Sequence, residues 1–115
     1  MKYYSARLLF IILVDDGRPR KRNDYDESVV VFRSRDQNQA FRKALAIGHT
    51  METVYKNKFG QDVRWAFVAI ESIRLLVQKV GNGEVSSKLD SRITKNAISF
   101  KRRFKPEKSK PEMEE

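Results

Sequence analysis

The chain has 115 residues (13.5 kDa), with 24 Lys and Arg against 15 Asp and Glu, a formal net charge of +9 and a sequence pI of about 10.0. That length predicts a single domain with a modest core. Zero Cys and one His exclude disulfides, thiolate zinc sites, Cys nucleophiles and multi-histidine metal sites, leaving His49 as the sole imidazole.

Tyr3–Val14 carries apolar residues at every even position (Tyr4, Ala6, Leu8, Phe10, Ile12, Val14), which marks one buried strand face. Its odd positions begin polar, with Ser5 and Arg7, and turn apolar at Leu9, Ile11 and Leu13. This strand therefore reads as central in its sheet, since an exposed edge of that composition would aggregate. Its apolar run, Leu8–Val14, is far short of the roughly 20 residues a membrane-spanning helix needs. Arg7 before it and Asp15 and Asp16 after it argue against a signal peptide, so a cytoplasmic chain is expected. Asp15–Asp16–Gly17 has turn chemistry. The charge-dense stretch Arg18–Asp26 reads as a loop, and Val29–Phe32 as a short strand that pairs back on the first.

Ser34 as N-cap with Gln37 three residues on forms a capping box, and Asp36 favours the helix start. Phe41, Ala44, Leu45, Gly48, Met51 and Tyr55 then trace one face of an amphipathic helix reaching about Lys58, with Gly60 at C′. Val63–Ile73 predicts a third strand, with Val63, Trp65, Phe67 and Ala69 on one face and Ala66, Val68 and Ile70 on the other. Leu75–Val80 is apolar but short. Gly81–Asn82–Gly83 signals a turn, and Glu84–Ser87 a fourth strand. The expected fold is α+β: a small antiparallel sheet of about four strands in the order β-β-α-β-β, one helix packed on it, and a basic C-terminal segment.

Beyond Asp90 the composition changes. Arg92–Lys110 holds eight basic residues and one acid, Glu107. Ile93, Ala97, Phe100 and Phe104 recur at near-heptad spacing, which favours an amphipathic helix over Arg92–Phe104; an extended reading is the weaker alternative. Pro106, Pro111 and the acidic Glu112, Glu114 and Glu115 suggest disorder at the end. The expected organisation is a domain over 1–90, a basic amphipathic segment over 91–105 and a disordered tail over 106–115.

Several segments together have a familiar order: Tyr3–Phe10, the helix around Ala40–Ala46, Tyr55–Lys56–Asn57 with Gly60, Val63–Val68, and Gly83–Ser86. The chain resembles, over roughly residues 3–87, a bacterial family of small proteins known only as a domain of unknown function. The resemblance implies the domain boundary and a bacterial, cytoplasmic origin. It carries no catalytic residues across, and the basic tail lies outside it.

Catalytic readings find little support in the residues. No Ser can be placed beside His49 to make a triad. A metal-dependent hydrolase or nuclease would need converging carboxylates, for which Asp15, Asp16, Asp24, Asp26, Glu27, Asp62 and Glu71 are the candidates. Glu71 is followed by Ser72–Ile73–Arg74 and lacks the Glu-x-Lys step of restriction-type cores. Gly81–Asn82–Gly83 lacks the longer glycine spacing and following helix of a phosphate loop. Trp65 and Phe67 could stack bases on a solvated face, but Val63 and Ala69 beside them favour core packing.

The preferred reading is a non-enzymatic binding module that takes a polyanion, nucleic acid foremost, without a cofactor or metal. Its contact residues would be Arg92, Lys95, Lys101, Arg102, Arg103 and Lys105, with Arg18, Arg20, Lys21 and Arg22 auxiliary. Ile93, Ala97, Phe100 and Phe104 would dock the segment on a partner or on the chain's own sheet. The alternative is a protein-interaction component, such as an immunity-type protein or a small subunit of a bacterial assembly, binding an acidic partner.

Overall fold

A computed structural model describes residues 1–76 and 83–114. Six strands and one α-helix run in the order β1 (Lys2–Val14), β2 (Arg20–Ser34), α1 (Gln37–Thr50), β3 (Thr53–Lys56), β4 (Asp62–Leu76), β5 (Gly83–Ile98) and β6 (Glu112–Glu114), with one 3-10 turn at Pro106–Lys108. All six strands join one sheet in the order β3-β4-β1-β2-β5, with β6 on β4 beyond β3. Every pairing is antiparallel except β4–β6. The α+β class stands, while the strand count and order are larger than expected.

β1 is central, as its composition predicted. On its even face Tyr4, Ala6, Leu8 and Phe10 form a buried cluster with Val30, Phe32, Phe67, Ile70 and Ile73, closed over by Ala40 and Ala44 of α1. Its odd face supplies Ile11 and Leu13 to a second cluster with Tyr25, Ala66 and Ile98, against which Leu9, Val68, Phe100 and Phe104 pack. A strand buried on both faces needs two covers. The helix is one, and the segment after β5 is the other.

Several boundaries differ from the sequence reading, each for a local reason. Only Asp15–Pro19 separates β1 from β2, because the charged stretch Arg20–Glu27 alternates as strand rather than loop. The N-cap is Asp36, whose Oδ1 accepts from Gln39 N at 2.8 Å, while the buried Ser34 hydroxyl donates to Asp36 O. Gln39 Oε1 accepts from Arg35 N at 2.8 Å, so the cap sits two residues later than predicted and its returning bond reaches the residue before the N-cap rather than the N-cap itself. The helix stops at Thr50, where Thr53–Val54–Tyr55 favours a strand, and β3 follows. Gly60, at φ 77°, belongs instead to the β3–β4 turn, in which Asn57 Oδ1 accepts from both Phe59 N and Gln61 N.

In β4 the strict alternation fails. Arg7 faces Ser72 but Leu8 faces Ile70, and Leu9 faces Ala69 but Phe10 faces Phe67. The bulge at Val68 thus brings Ile70 to the helix face with Phe67 rather than the opposite one, and the bulge at Glu71 brings Ile73 to that face as well. The turn predicted at Gly81–Asn82–Gly83 and the apolar stretch after Leu76 lie largely outside the described residues. Glu84–Ser87 is the start of a 16-residue strand, not a short one.

The largest corrections concern the C-terminus. Arg92–Ile98 completes β5 in register with β2, so it is strand and not amphipathic helix. Residues 99–105 then cross the odd face of the sheet. The end expected to be disordered instead edges β4: Ser109 Oγ accepts from Ile70 N at 3.0 Å beside a bulge, and Glu112–Glu114 pairs with Ser72–Arg74.

Helix and sheet meet most closely at Gly48. A Cβ there would lie 2.2 Å from Phe67 Cε2, well inside any tolerated contact. Just beyond, Glu52 Oε2 accepts from Phe67 N at 3.1 Å and its Oε1 lies 2.8 Å from His49 Nδ1, pinning the helix end to β4. Ala is favoured over Gly in a helix by about 1 kcal/mol, but overpacking costs about 1–3 kcal/mol. Gly48→Ala is therefore expected to lower the urea midpoint, and Phe67→Leu in the same chain to recover part of the loss.

Candidate polyanion-binding surface

The antiparallel pairing of β2 with β5 sets the start of one beside the end of the other: Arg20 faces Ile98, Arg22 faces Ile93 and Asn23 faces Arg92. Between the first two pairs, Thr94–Ala97 lies opposite Lys21 alone, so these four residues bulge outward. The Thr94 hydroxyl lies 3.1 Å from Lys21 O and 2.7 Å from Asn96 O, bridging the bulge to β2. This register unites the two basic clusters that are more than 70 residues apart in sequence. Residues 15–24 and 93–105 together hold nine cations against three acids.

The segment after Ile98 is held by both apolar and polar contacts. Phe100 and Phe104 pack on the cluster of Ile11, Leu13, Tyr25 and Ala66. Arg64 Nη1 donates to Phe100 O at 2.9 Å and to Arg102 O at 2.7 Å. The guanidiniums of Arg64 and Arg102 lie 5.9 and 5.7 Å from the Phe104 ring centroid, a cation–π arrangement that aims Arg102 back onto the protein. The intervening Lys101 and Arg103 point to solvent. An open cleft of about 360 Å³ is lined by Asp15, Gly17, Arg18, Pro19, Ser99, Phe100 and Lys101, so one residue from each basic cluster borders it.

The proposed contact residues divide under this geometry. Arg18, Lys21, Arg22, Lys95, Lys101, Arg103 and Lys105 are exposed, and no ion pair engages them among the described residues. Arg20 is held by Asp16. Arg92 is not a free cation: its Nη2 lies 2.5 Å from Glu27 Oε1 and its Nε 3.2 Å from Asp90 Oδ2, with the guanidinium 5.0 Å from the Tyr25 ring centroid. Burial alone would lower the Arg92 pKa, but its bonds to Asp90 and Glu27 outweigh that and raise it. Of the apolar set, Phe100 and Phe104 dock on the chain's own sheet while Ile93 and Ala97 remain exposed; Ile98, outside that set, is buried beside the two rings.

Two polar groupings escaped the sequence reading. Arg7, Glu27, Asp90 and Arg92 form an ion network on the odd face, with Glu71 facing it from the bulge in β4. Asp26 is buried on the helix face, accepting from Ser28 Oγ at 2.5 Å and from Ser87 Oγ. Only the register reveals either one, because Leu9 facing Glu27 and Phe10 facing Asp26 place adjacent acids on opposite faces. Of the carboxylates weighed for a metal, Glu27 and Glu71 come near each other on the odd face, and the others lie apart from that pair. Asp62 pairs with Lys56 at 3.0 Å at one end of β4, and Glu71 lies nine positions further along the strand. Among the described residues no three His, Asp or Glu side chains converge on a metal-sized site. Phe67 is buried in the core beneath the helix and Trp65, partly buried, packs against that core, so the two do not form an open stacking face.

Burial first, and the charge of Glu27 second, raise the Glu71 pKa above its ordinary 4.5, with Arg92 and Arg7 opposing. Glu71 Oε1 has no hydrogen-bond partner among the described residues. A carboxyl whose folded-state pKa is raised binds more protons folded than unfolded, so stability falls as pH rises from the ordinary carboxylate value through the raised one. Glu71→Gln is therefore expected to raise the melting temperature at pH 7 and to lose that advantage below about pH 4; parallel thermal melts across that range would check it.

Comparison with known proteins adds one match. A family model described as Domain of unknown function (DUF4288) covers residues 3–86, from the first residues of β1 to the early part of β5. No curated protein and no solved structure matches the chain. No helix among the described residues is long and apolar enough to cross a membrane. The model spans most of the 115 residues and stops short of the cationic stretch after Ile93, and on that match the chain belongs to the DUF4288 family.

Proposed function

We propose that the protein is a non-enzymatic binding module that grips a polyanion, nucleic acid foremost, with the basic end of its sheet. The observation that carries this reading is the convergence of Arg18, Lys21 and Arg22 with Lys95, Lys101, Arg103 and Lys105 through the β2–β5 register. Unpaired exposed cations on a sheet end keep their full attraction for phosphates, whereas a paired one such as Arg92 would first have to abandon its acids. Backbone contacts of this kind position a strand or duplex and carry little sequence information. Arg92, Arg20 and the docked Phe100 and Phe104 then hold the surface in shape rather than touch the ligand. A cytoplasmic location accords with such a ligand.

Deleting the tail would not test this, because half of β5 and the cover of the odd face would go with it. Charge substitution in the full chain does. Fluorescence anisotropy with a labelled DNA duplex and a single-stranded RNA should show binding at low salt, with log affinity falling linearly against log salt at a slope of about −0.9 per phosphate contacted. Lys101→Ala with Arg103→Ala should weaken binding to all sequences alike and flatten the slope by roughly one per contact removed. Absence of binding at low salt, or an unchanged slope in that variant, would refute the assignment. Binding of polyglutamate in place of nucleic acid would transfer the same surface to an acidic protein partner.

A further inference from the structure

β5 is the outermost strand beside β2, and among the described residues it pairs with nothing else. A long edge strand presents an unpaired row of N–H and C=O groups, a template for another strand. Natural edges are usually blunted by inward-pointing charge or by a bulge. Here the bulge at Thr94–Ala97 breaks only the final part, and Lys88–Ile93 stays regular, pairing residue for residue with Glu27–Arg22. On the helix face this stretch exposes two large aliphatic side chains, Leu89 at 62% and Ile93 at 64%, and no element among the described residues covers them.

The order of residues on this edge is self-complementary. If two copies lie antiparallel about a dyad at Ser91, Leu89 of each faces Ile93 of the other, and Asp90 of each faces Arg92. Lys88 then faces Thr94, and the two Ser91 residues meet at the axis. Apolar pairs with apolar and acid with base, each a stabilising cross-strand combination. Neighbouring registers lose this. Centring on Asp90 sets Asp90 against itself and Lys88 against Arg92, and centring on Arg92 sets Arg92 against itself. Half-residue shifts put Leu89 opposite Arg92, or Arg92 opposite Ser91 with Asp90 opposite Ile93. Centring on Leu89 also sets Lys88 against Asp90 and Leu89 against itself, but it leaves Ile93 and Arg92 of each copy without Leu89 and Asp90 as partners; the Ser91 register alone matches all four of these residues.

We infer that this edge binds a second copy of the same chain, β5 against β5, in an isologous dimer whose two sheets run on as one. The four aliphatic side chains would close a small apolar cluster on the helix side of the dyad. The Asp90 and Arg92 pairs would extend, across the boundary, the ion network that already joins Arg92 to Glu27 on the odd face. The bulge at Thr94–Ala97 ends the ladder and sets the basic end of each copy outside it, so the cations of the two copies do not face one another. The inference is independent of what the basic end binds.

Sedimentation equilibrium on the full chain tests it. The wild type should sediment at twice the 13.5 kDa chain mass at tens of micromolar. L89K/I93K places like charges opposite one another at both pairs and should halve the observed mass. L89K/I93E restores opposite charges only in the Ser91 register, and should return the mass to that of the dimer. Both positions are solvent-exposed, and matching circular dichroism would show that the fold is kept. The chain has no cysteine, so S91C provides a second readout: oxidation should join two chains by a disulfide at the dyad. A wild type that stays monomeric overturns the inference, as does a dimer that persists in L89K/I93K. Failure of L89K/I93E to re-dimerise, or of S91C to cross-link, overturns the Ser91 pairing on which it rests.

Discussion

Everything past β5 depends on the need of β1 to be covered on both faces. Leu9, Ile11 and Leu13 would otherwise leave an apolar strip on the side away from the helix, and Phe100 and Phe104 close it. Fully burying a Phe side chain contributes about 1.5–3 kcal/mol, and these two rings are partly buried. Their combined effect is still large beside the roughly 5–15 kcal/mol that separates folded from unfolded domains of this size. The same crossing carries the chain from β5 at one edge of the sheet to β4 at the other, where Ser109 and β6 satisfy backbone groups beside β3. The basic segment is thus a structural element first, and its charges are displayed from a fixed frame.

That frame sorts the cations. Those on the odd face, Arg7 and Arg92, are bound to Glu27 and Asp90, while Arg64 holds the carbonyls of Phe100 and Arg102. Those beyond the last rung of the β2–β5 ladder, Arg18, Lys101, Arg103 and Lys105, are exposed and engage in no ion pair among the described residues. A net charge of +9 spread evenly would imply weak attraction to any polyanion; concentrated at one sheet end it becomes a local field that can orient an extended ligand. The exposed Leu89 and Ile93 lie on the opposite face from Arg92 and its ion network, with Ile93 facing Arg22 where the edge meets the basic end.

The sequence was most legible where one periodicity governed. β1 could be read as a central strand because its even positions are uniformly apolar, and the helix because Phe41, Ala44, Leu45 and Gly48 keep their spacing. Legibility failed where tertiary pairing overrode local pattern. Ile93, Ala97, Phe100 and Phe104 fit a helical stripe, yet Arg92–Ile98 is tied to β2, and only the last two residues of that stripe reach the core. The bulges at Val68 and Glu71 leave no composition signal, so the faces of β4 beyond Phe67 could not be assigned from alternation. For the candidate surface, the cations themselves were visible as two clusters. Their union was not, because it rests on a pairing between residues more than 70 positions apart, and neither was the loss of Arg92 to Glu27 and Asp90.

The central claim is that the crossing segment is part of the fold and holds the basic end in place. Urea denaturation of the full chain with Phe100→Ala and Phe104→Ala, read beside its nucleic-acid affinity, tests this most directly. The account predicts a stability loss of about 2–4 kcal/mol in a single cooperative transition, together with weaker binding although no cation has been removed. An unchanged midpoint, or full affinity retained in a destabilised chain, would contradict it.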